Sequence, residues 1–348
     1  MQRQELPLPA ETTIIETLFP PRAELLLRAS RHPLASVVRR GLARAGVGDS
    51  ERVLLLVSGG GDSMAMLLLV AALRERDDPS LQSLSVLAID HGLRSEGAGE
   101  AAHAVAFAQH LGIARASSRA VVMPSVGNIL DAARTARLDA ARAMAAETGA
   151  SAVLLAHQAD DRAEGLLLAL ARGVGIDALA SLLPRRDFEG GMTLCRPLLG
   201  ARREELRSFL LELDVAWRDD PSNNRRARGE IRSDPSLAAL ADRIAHGADT
   251  LCDEAGELIA LREQSLDAQI ASGASAISRA AFEGLHHALR GAAIHRIVRA
   301  AGGDVTRATL VQALRAAQDP MRAPRSFDCS GGVVLMIDAR EVRAVTRA

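Results

Sequence analysis

The order of hydrophobic and polar positions predicts that strands and helices alternate through the first half of the chain. Short apolar runs of strand length stand at Val53–Val57, Leu84–Ile89, Arg119–Met123 and Ala152–Ala156. Longer segments with helical spacing follow them, at Ser63–Arg74, Ser95–Leu111, Ile129–Thr148 and Asp160–Arg172. Because helices that connect successive strands make a parallel sheet, this pattern predicts a doubly wound α/β domain with ligands at the carboxyl ends of its strands.

The remainder of the chain is predicted to be mainly helical. Helices are expected at Ala23–Ala29, Leu34–Ala45, Glu204–Leu213, Leu237–Leu266, Arg279–Ala301 and Thr306–Ala317. Strands are expected within Gly190–Leu199 and as a terminal pair at Gly332–Ile337 and Val342–Val345. Residues 219–235 are polar and basic, which predicts a loop between domains. We therefore expect an N-terminal extension at 1–48, an α/β domain at 49–235 and a smaller, mainly helical domain at 236–348.

The composition of the chain indicates where the protein is found but says little about the reaction it could catalyse. The chain has 348 residues, of which 48% are hydrophobic, enough for a sizeable core. No apolar run reaches the roughly 20 residues that span a bilayer, and the first residues lack the pattern of a signal peptide. Cys195, Cys252 and Cys329 are far apart and odd in number, which predicts no disulfide framework. We expect a cytoplasmic protein without a membrane partner.

Charge and aromatic content restrict how this chain could bind nucleic acid. The formal net charge is −1, and only 2% of the residues are aromatic, with one Trp and no Tyr. Base stacking on aromatic side chains is therefore excluded as the main mode of recognition. Any RNA site must come from local clusters of arginine.

A glycine-rich turn follows the first predicted strand and opens the next helix. It has the sequence Ser-Gly-Gly-Gly-Asp-Ser at Ser58–Ser63. Such a turn points several backbone N–H groups at one spot beside a helix N-terminus, which favours a phosphate. Its acidic residue, Asp62, suits a Mg²⁺ ion carried by that phosphate. The candidate nucleotide-binding residues are Ser58, Gly59, Gly60, Gly61, Asp62 and Ser63.

Two familiar nucleotide loops are excluded by the residues of this turn. A Walker A loop needs a lysine for the β- and γ-phosphates, and the chain contains no lysine at all. A dinucleotide-binding loop needs Gly-x-Gly-x-x-Gly, whereas the glycines here are contiguous and followed by Asp62 and Ser63. The pattern that remains resembles the PP-loop of N-type ATP pyrophosphatases, a resemblance that implies cleavage of ATP between its α- and β-phosphates.

Polar clusters stand at the predicted ends of later strands and helices. Asp90 and His91 follow the second strand and would lie beside the first loop, although they could also simply cap the strand. Arg134 and Arg137 share one helix face and could neutralise a leaving pyrophosphate, although such a pair is more often solvated. His157 ends the fourth strand.

Two more clusters complete the set. Asp160 and Asp161 begin the helix after His157, where carboxylates favour the helix dipole and could act only as caps. The predicted interdomain loop carries a dense group of arginines that suits phosphate contacts, with a solvated charge run as the alternative. These candidate phosphate-binding residues are Arg225, Arg226, Arg228 and Arg232.

These clusters, in this order, resemble those of the tRNA(Ile)-lysidine synthetase family, whose catalytic domain has the PP-loop, adenine nucleotide alpha hydrolase-like fold. The matching motifs are S-G-G-G-D-S at Ser58–Ser63, D-H-G-L-R at Asp90–Arg94, A-A-R-x-x-R at Ala132–Arg137, H-x-A-D-D-x-A-E at His157–Glu164 and D-P-S-N at Asp220–Asn223. The resemblance covers about residues 50–240, and the helical remainder resembles the family's smaller tRNA-binding domain.

The resemblance implies ATP and Mg²⁺ as cofactors, with free L-lysine and a CAU-anticodon tRNA(Ile) as partners. ATP would adenylate the C2 oxygen of the wobble cytidine, and the amino group of lysine would then expel AMP to give lysidine. Asp62 would hold Mg²⁺, Arg137 would stabilise the transition state and Asp161 would orient or deprotonate lysine. Asp90, His91 and His157 would complete the ATP site begun by the loop. The arginines that would contact tRNA phosphates are Arg225, Arg226, Arg228 and Arg232.

Four positions depart from the pattern of that family. Gln158, Arg162, Gly165 and Gly229 stand where a His, a Gln, a Thr and an Asn are usual. Three alternatives stay open at this point. One is another PP-loop enzyme that adenylates a tRNA, and a second is a PP-loop ligase that acts on a small molecule. The third, suggested by the changed residues, is an inactive paralogue that only binds tRNA. A homodimer also stays open.

Overall fold

The computed structural model describes residues 19–48, 51–76, 81, 83–90, 97–121, 129–172, 175–188, 191–218 and 227–347. The chain divides into two compact units, Met1–Gly256 and Glu257–Ala348. The predicted domain boundary after residue 235 stays a prediction, and the compact units divide later, inside a continuous helix. No helix in the described ranges is long and apolar enough to cross a membrane.

The first unit contains a six-stranded sheet with helices between the strands. Its strands are β1 Val53–Val57, β2 Leu84–Asp90, β3 Arg115–Ala120, β4 Ala152–Leu154, β5 Arg185–Asp187 and β6 Thr193–Cys195. Its helices are α1 Arg22–Arg31, α2 Pro33–Arg44, α3 Gly61–Glu75, α4 Gly97–His110, α5 Ile129–Thr148, α6 Ala159–Ala171, α7 Ile176–Leu179, α8 Arg203–Glu212, α9 Ala227–Ser233 and the start of α10, Pro235–Asp267.

The strand order is β3-β2-β1-β4-β6-β5, and all neighbours are parallel except the edge pair β5 and β6. This confirms the predicted doubly wound sheet. The central strand β1 is buried along its whole length. Leu55 packs with α3 on one face, whereas Leu54 packs with Leu138 of α5 on the other. Helices on both faces explain why the parallel strands read as continuous apolar runs.

The second unit contains the end of α10, three helices and a small antiparallel sheet. The helices are α11 Arg279–Gly284, α12 His287–Ala300 and α13 Arg307–Ala317. The strands are β7 Ala276–Ser278, β8 Arg325–Asp328, β9 Val333–Ile337 and β10 Glu341–Thr346, in the order β7-β10-β9-β8. The predicted terminal strand pair is confirmed as β9 and β10.

Three predictions about individual elements were wrong. The strand predicted at Arg119–Met123 lies at Arg115–Ala120, because this edge strand has the half-exposed sequence Arg-Ala-Ser-Ser-Arg-Ala and no apolar run to mark it. The helix predicted at Arg279–Ala301 is interrupted between Gly284 and His287. Part of the predicted interdomain loop is the helix α9, Ala227–Ser233.

Candidate active site

The glycine-rich loop lies at the carboxyl end of β1, between the parallel neighbours β2 and β4. The chain moves outward on one side through β2 and β3, and on the other side through β4 and β6. The loop therefore lies where the strand order reverses, which is where open α/β sheets bind their ligands.

The backbone of the loop requires glycine at one position. Gly59 has a φ of +78°, a left-handed conformation that side chains disfavour. A Cβ atom there would also come within 3.2 Å of the carbonyl oxygen of Glu100. The carbonyl of Gly59 accepts a hydrogen bond from the backbone N–H of Arg218 at 3.0 Å. The turn is thus fixed by close backbone packing.

Ser63 holds the loop against the first turn of α3. Its hydroxyl donates to the carbonyl of Gly60 at 2.8 Å and accepts from the backbone N–H of Ser58 at 3.2 Å. Gly60 precedes the helix and offers no side-chain cap. The first N–H groups of α3 are consequently left to an anion, together with the positive end of the helix dipole.

Asp62, in the first turn of α3, is a largely buried carboxylate. Its side chain is 28% exposed, and Arg203 Nε lies 4.0 Å from its Oδ2 atom. The pKa of Asp62 is raised to about 6, mainly by burial; Arg203 opposes the rise and the nearby carboxylate of Asp161 adds to it. At neutral pH the group is ionised at a cost, which a bound cation would remove.

Asp161 and Glu164 form an acidic pair on α6 that three arginines surround. Glu164 is 2% exposed and accepts from Arg203 Nη1 at 3.0 Å and from Arg232 at 2.7 and 2.8 Å. Asp161 accepts from Arg228 Nη1 at 3.1 Å, with Arg203 Nη2 and Arg232 Nη2 at 3.6 and 3.8 Å. We define these five residues as the charged cluster.

The neighbouring carboxylate, Asp160, has a separate set of partners. Arg202 grips it through Nε and Nη2, and the backbone N–H of Arg203 donates to it at 2.8 Å. These bonds lower the pKa of Asp160 against the opposing effect of its burial. Arg202 also bonds Asp242 of α10 at 2.6 Å. Asp160 therefore joins α6, α8 and α10, and its contacts are structural.

Gln158 opens α6 with a reciprocal cap. Its side-chain oxygen accepts from Asp160 N at 2.5 Å, and its backbone N–H donates to Asp161 Oδ2 at 3.1 Å. This cap uses one oxygen of Asp161 and turns the other towards the arginines. The expectation that Asp161 could be only a helix cap therefore describes half of its carboxylate.

His157 lies at the end of β4 among positive charges. Burial lowers the pKa of His157 well below 6.5, and Arg196, Arg228, Arg137 and Arg134 lower it further. Its buried Nδ1 atom has no hydrogen-bond partner in the described part of the chain. The imidazole ring of His157 is therefore neutral, and the guanidinium groups around it supply the positive charge. Such a ring is suited to contact a nucleotide or a base, and not to act as a cation itself.

Other predicted site residues have different outcomes. Asp90 ends β2, and its carboxylate packs so closely on Gly97 that a Cβ there would lie 2.4 Å from Asp90 Oδ1. His91, Arg225 and Arg226 lie outside the described residues, so their predicted roles stay predictions. Arg228 and Arg232, which were predicted to contact tRNA phosphates, lie within the described residues and are considered next.

In the structure, the guanidinium groups of Arg228 and Arg232 pair with the carboxylates of α6, although both side chains stay about a third exposed. Their predicted contacts with tRNA remain untested. The local reason is that α9 presents both residues, four positions apart, on one helix face. Because this segment was predicted to be a loop, the sequence did not indicate that the two side chains share one face.

Sequence reasoning did not single out Arg203, although it contacts Asp62, Asp161 and Glu164. It also missed Arg196, which lies directly after β6 and is 2% exposed. Both residues follow a strand near its carboxyl end or open the next helix. The rule that identified His157, a polar residue at the carboxyl end of a strand, also applies to Arg196 once the short strand Thr193–Cys195 is recognised.

The donor set around the loop fits a phosphate-borne Mg²⁺ ion and not a protein cage. Among the described residues, no group of three or more His, Cys, Asp or Glu side chains could hold a metal ion. Mg²⁺ is commonly bound through one or two carboxylates with substrate phosphates and water. Asp62 supplies one such carboxylate beside a bare helix N-terminus.

Comparison with known proteins gives the class of this site. A family model described as a PP-loop domain matches residues 34–234, which is more than half of the chain. A solved structure with a similar fold is the U34-tRNA thiolase NcsA from Methanococcus maripaludis, with a TM-score of 0.51 and 16% identity. It covers 68% of this chain and 80% of its own. The fold and the loop together define a PP-loop protein.

Curated relatives narrow the class further. The tRNA(Ile)-lysidine synthase of Salinispora arenicola is 32% identical over 286 residues, 79% of this chain and 84% of that relative. The synthase of Ruegeria pomeroyi is 37% identical over 212 residues, 61% of this chain and 49% of that relative. This chain belongs to the tRNA(Ile)-lysidine synthase family. It nevertheless spans only about half the length of several relatives that it matches, such as the one from Ruegeria pomeroyi.

Proposed function

We propose that this chain joins lysine to C2 of the wobble cytidine in a CAU-anticodon tRNA(Ile), converting ATP to AMP and pyrophosphate. The observation that carries the proposal is the position of Arg203. Its guanidinium group lies between Asp62 of the PP-loop and the acidic pair Asp161 and Glu164. One side chain thus connects a site for ATP with a site that has the charges of a free amino acid.

The first step is adenylation of the cytidine C2 oxygen. The N–H groups of the loop and of the first turn of α3 bind the phosphates, and Asp62 would hold a Mg²⁺ ion. That ion, when bound, neutralises phosphate charge. Arg137 lies near the neutral His157 and stabilises the charge that develops on the departing pyrophosphate. Asp90 and His157 border the nucleotide.

The second step needs a lysine amino group close to the adenylated carbon. Lysine carries two ammonium groups and one carboxylate, and the charged cluster offers both complementary signs. Asp161 and Glu164 bind an ammonium group, and the arginines bind the α-carboxylate as guanidinium groups do. Asp161 accepts a proton from the lysine ammonium group, which frees the nitrogen lone pair to attack C2. The C–N bond then forms, the bond from C2 to the adenylate oxygen breaks so that AMP leaves, and the nitrogen releases its second proton to water.

Arg228 and Arg232 accordingly have a role before any contact with RNA. They hold the carboxylates of α6 in place, and exchange partners when lysine enters. Contacts of these arginines with tRNA phosphates, a cytoplasmic location and a homodimer remain part of the proposal. No feature of the described residues favours a different activity over this one.

The test separates the two steps with single substitutions in α6. Glu164→Gln and Asp161→Asn should lower lysine transfer by at least about 100-fold, because each loses a charge that binds the amine. Pyrophosphate release with tRNA and ATP but without lysine should fall by less than about tenfold. The matched control is Asp160→Asn, whose carboxylate pairs with Arg202 and should leave lysine transfer within about tenfold of wild type.

Equal losses in both steps for Asp161→Asn would remove the proposed lysine site. Unchanged lysine transfer in both α6 variants would contradict the assignment of these carboxylates. Thermal unfolding of each variant would show whether a loss reflects the fold, since the guanidinium groups around Glu164 lose their partner in Glu164→Gln.

A further inference from the structure

A cavity of about 280 Å³ lies in the first unit beside the carboxyl end of β6. Helix α2 lines one side with Arg40 and Arg44, the segment after β6 lines another with Arg196, and Asp249 of α10 completes it. The walls are in close contact, since a Cβ on Gly41 of α2 would lie 2.1 Å from the carbonyl oxygen of Pro197. The cavity is distinct from the PP-loop, whose residues do not line it.

Arg196 is a buried cation without a carboxylate partner in the described part of the chain. It is 2% exposed, and its Nη1 atom donates to the carbonyl of Leu183 at 2.6 Å. Its buried Nε atom has no hydrogen-bond partner. Burial, with a contribution from Arg186 and Arg134, lowers the pKa of Arg196 to about 10. A buried charge with a free donor is costly unless an anion joins it.

The acidic side chain in the cavity wall does not supply that anion. Asp249 pairs with Arg162, a side chain that is 1% exposed and also bonds Asp253. Arg44 pairs with the same two aspartates. Two guanidinium groups therefore already balance the two carboxylates, and the charges of Arg196 and Arg40 are additional.

Arg40 provides the accessible half of the site. It is exposed on α2 and lines the cavity, and no ion pair with another described residue is present. Together, Arg40 and Arg196 place two unbalanced cations around one small volume. Guanidinium groups are well suited to phosphate because their paired N–H donors match two phosphate oxygens.

We infer that this cavity binds a phosphate group of the RNA substrate, an inference that rests on the proposed function. The volume is close to the lower end of ligand pockets, about 300 Å³, and suits one phosphate with its ribose better than a whole nucleoside triphosphate. Helix α2 lies before the strand that carries the PP-loop, and the inference gives it a role in holding tRNA. A free phosphate ion has the same chemistry and is the competing source.

The test compares two adjacent arginines on α2. Arg40→Gln removes a cavity cation, whereas the matched control Arg39→Gln removes an exposed cation that does not line the cavity. Affinity for a fluorescent CAU-anticodon tRNA transcript is measured by anisotropy at salt concentrations from about 50 to about 300 mM. Arg40→Gln should weaken binding about 3- to 10-fold and reduce the salt slope by about 1, while Arg39→Gln changes affinity by less than about twofold.

Equal tRNA affinities for the two variants would overturn the inference. A parallel thermal-shift titration with inorganic phosphate identifies the competing source. If phosphate stabilises wild type and Arg39→Gln but not Arg40→Gln, while tRNA affinity is the same in both variants, the cavity binds a free anion and the RNA assignment is wrong. Lysine incorporation by wild type keeps the two proposals apart, because its absence contradicts the proposed function itself.

Discussion

The buried carboxylate of Asp62 should make the PP-loop less stable than its neutral equivalent. Burial is the main reason that its pKa is raised from 3.8 to about 6, even with Arg203 nearby. A shift of about two units corresponds to about 3 kcal/mol between the ionised and neutral forms. Asp62→Asn keeps the shape and removes the charge. We therefore expect this variant to unfold with a free energy about 3 kcal/mol higher than wild type at pH 8.

The effect must depend on pH in a particular direction. The folded chain holds the Asp62 proton more tightly than the unfolded chain, so the wild-type disadvantage is absent below pH 3.8 and complete above pH 6. At pH 5 the difference between Asp62→Asn and wild type should shrink to about half. Taking the difference between the two proteins cancels the other titrating groups, including His157.

The assay is urea unfolding followed by circular dichroism at pH 5 and pH 8, in EDTA and without nucleotide. The same variant should lose Mg²⁺-dependent ATP binding, so that stability rises as function falls. An Asp62→Asn variant that is less stable than wild type at pH 8 would refute the reasoning. So would a stability difference that is the same at both pH values.

Two further changes test how the site is held. Gly59→Ala places a side chain at φ +78° and 3.2 Å from the carbonyl of Glu100. This change should lower the free energy of unfolding by about 1–2 kcal/mol and weaken ATP binding, measured by calorimetry, by more than about tenfold. Unchanged ATP affinity would contradict the close packing of the loop. Arg162→Gln removes the buried guanidinium partner of Asp249 and Asp253 and leaves them only the more exposed Arg44. It should lower the unfolding free energy by about 3 kcal/mol in urea, with Arg39→Gln within about 0.5 kcal/mol of wild type. Asp249→Asn should cost less in the Arg162→Gln background than alone, and strictly additive losses would show that the pair is not coupled.

The parts of the fold that could be predicted from the sequence are those with strong local signals. Buried parallel strands such as Val53–Val57 are apolar on both faces, and the helix at Ile129–Thr148 was bounded correctly by its own spacing. The edge strand Arg115–Ala120 was displaced because its pairing is decided by β2 and not by its own polar sequence.

Part of the candidate site, the glycine-rich loop, could also be predicted from the sequence. The loop Ser58–Ser63 predicts a phosphate site by residue type alone, since glycine adopts the left-handed conformation at Gly59 most readily. The charged cluster could not be predicted, because Asp161, Arg203 and Arg232 come from three helices that only the tertiary fold brings together. A charge run looks the same in sequence whether it faces solvent, RNA or a buried carboxylate.

Arg162 illustrates the same limit from another direction. Its departure from the family pattern could be read as damage to the active site, because it follows Asp161 directly. In the structure its guanidinium group turns away to Leu182, Asp249 and Asp253. The substitution therefore adds a tie between α6 and α10, and the carboxylate of Asp161 keeps its own partners.

The central claim, that the PP-loop and the charged cluster serve one ligation, is tested most directly by incorporation of labelled lysine. The purified chain is incubated with ATP, Mg²⁺, labelled lysine and a transcript of tRNA(Ile) with a CAU anticodon, and label in the tRNA is counted. We predict lysine incorporation that requires ATP, is lost in Asp62→Ala and Arg137→Ala, and disappears when the wobble cytidine is replaced. Absence of label from the tRNA, in a chain that binds both ATP and the transcript, would contradict the account.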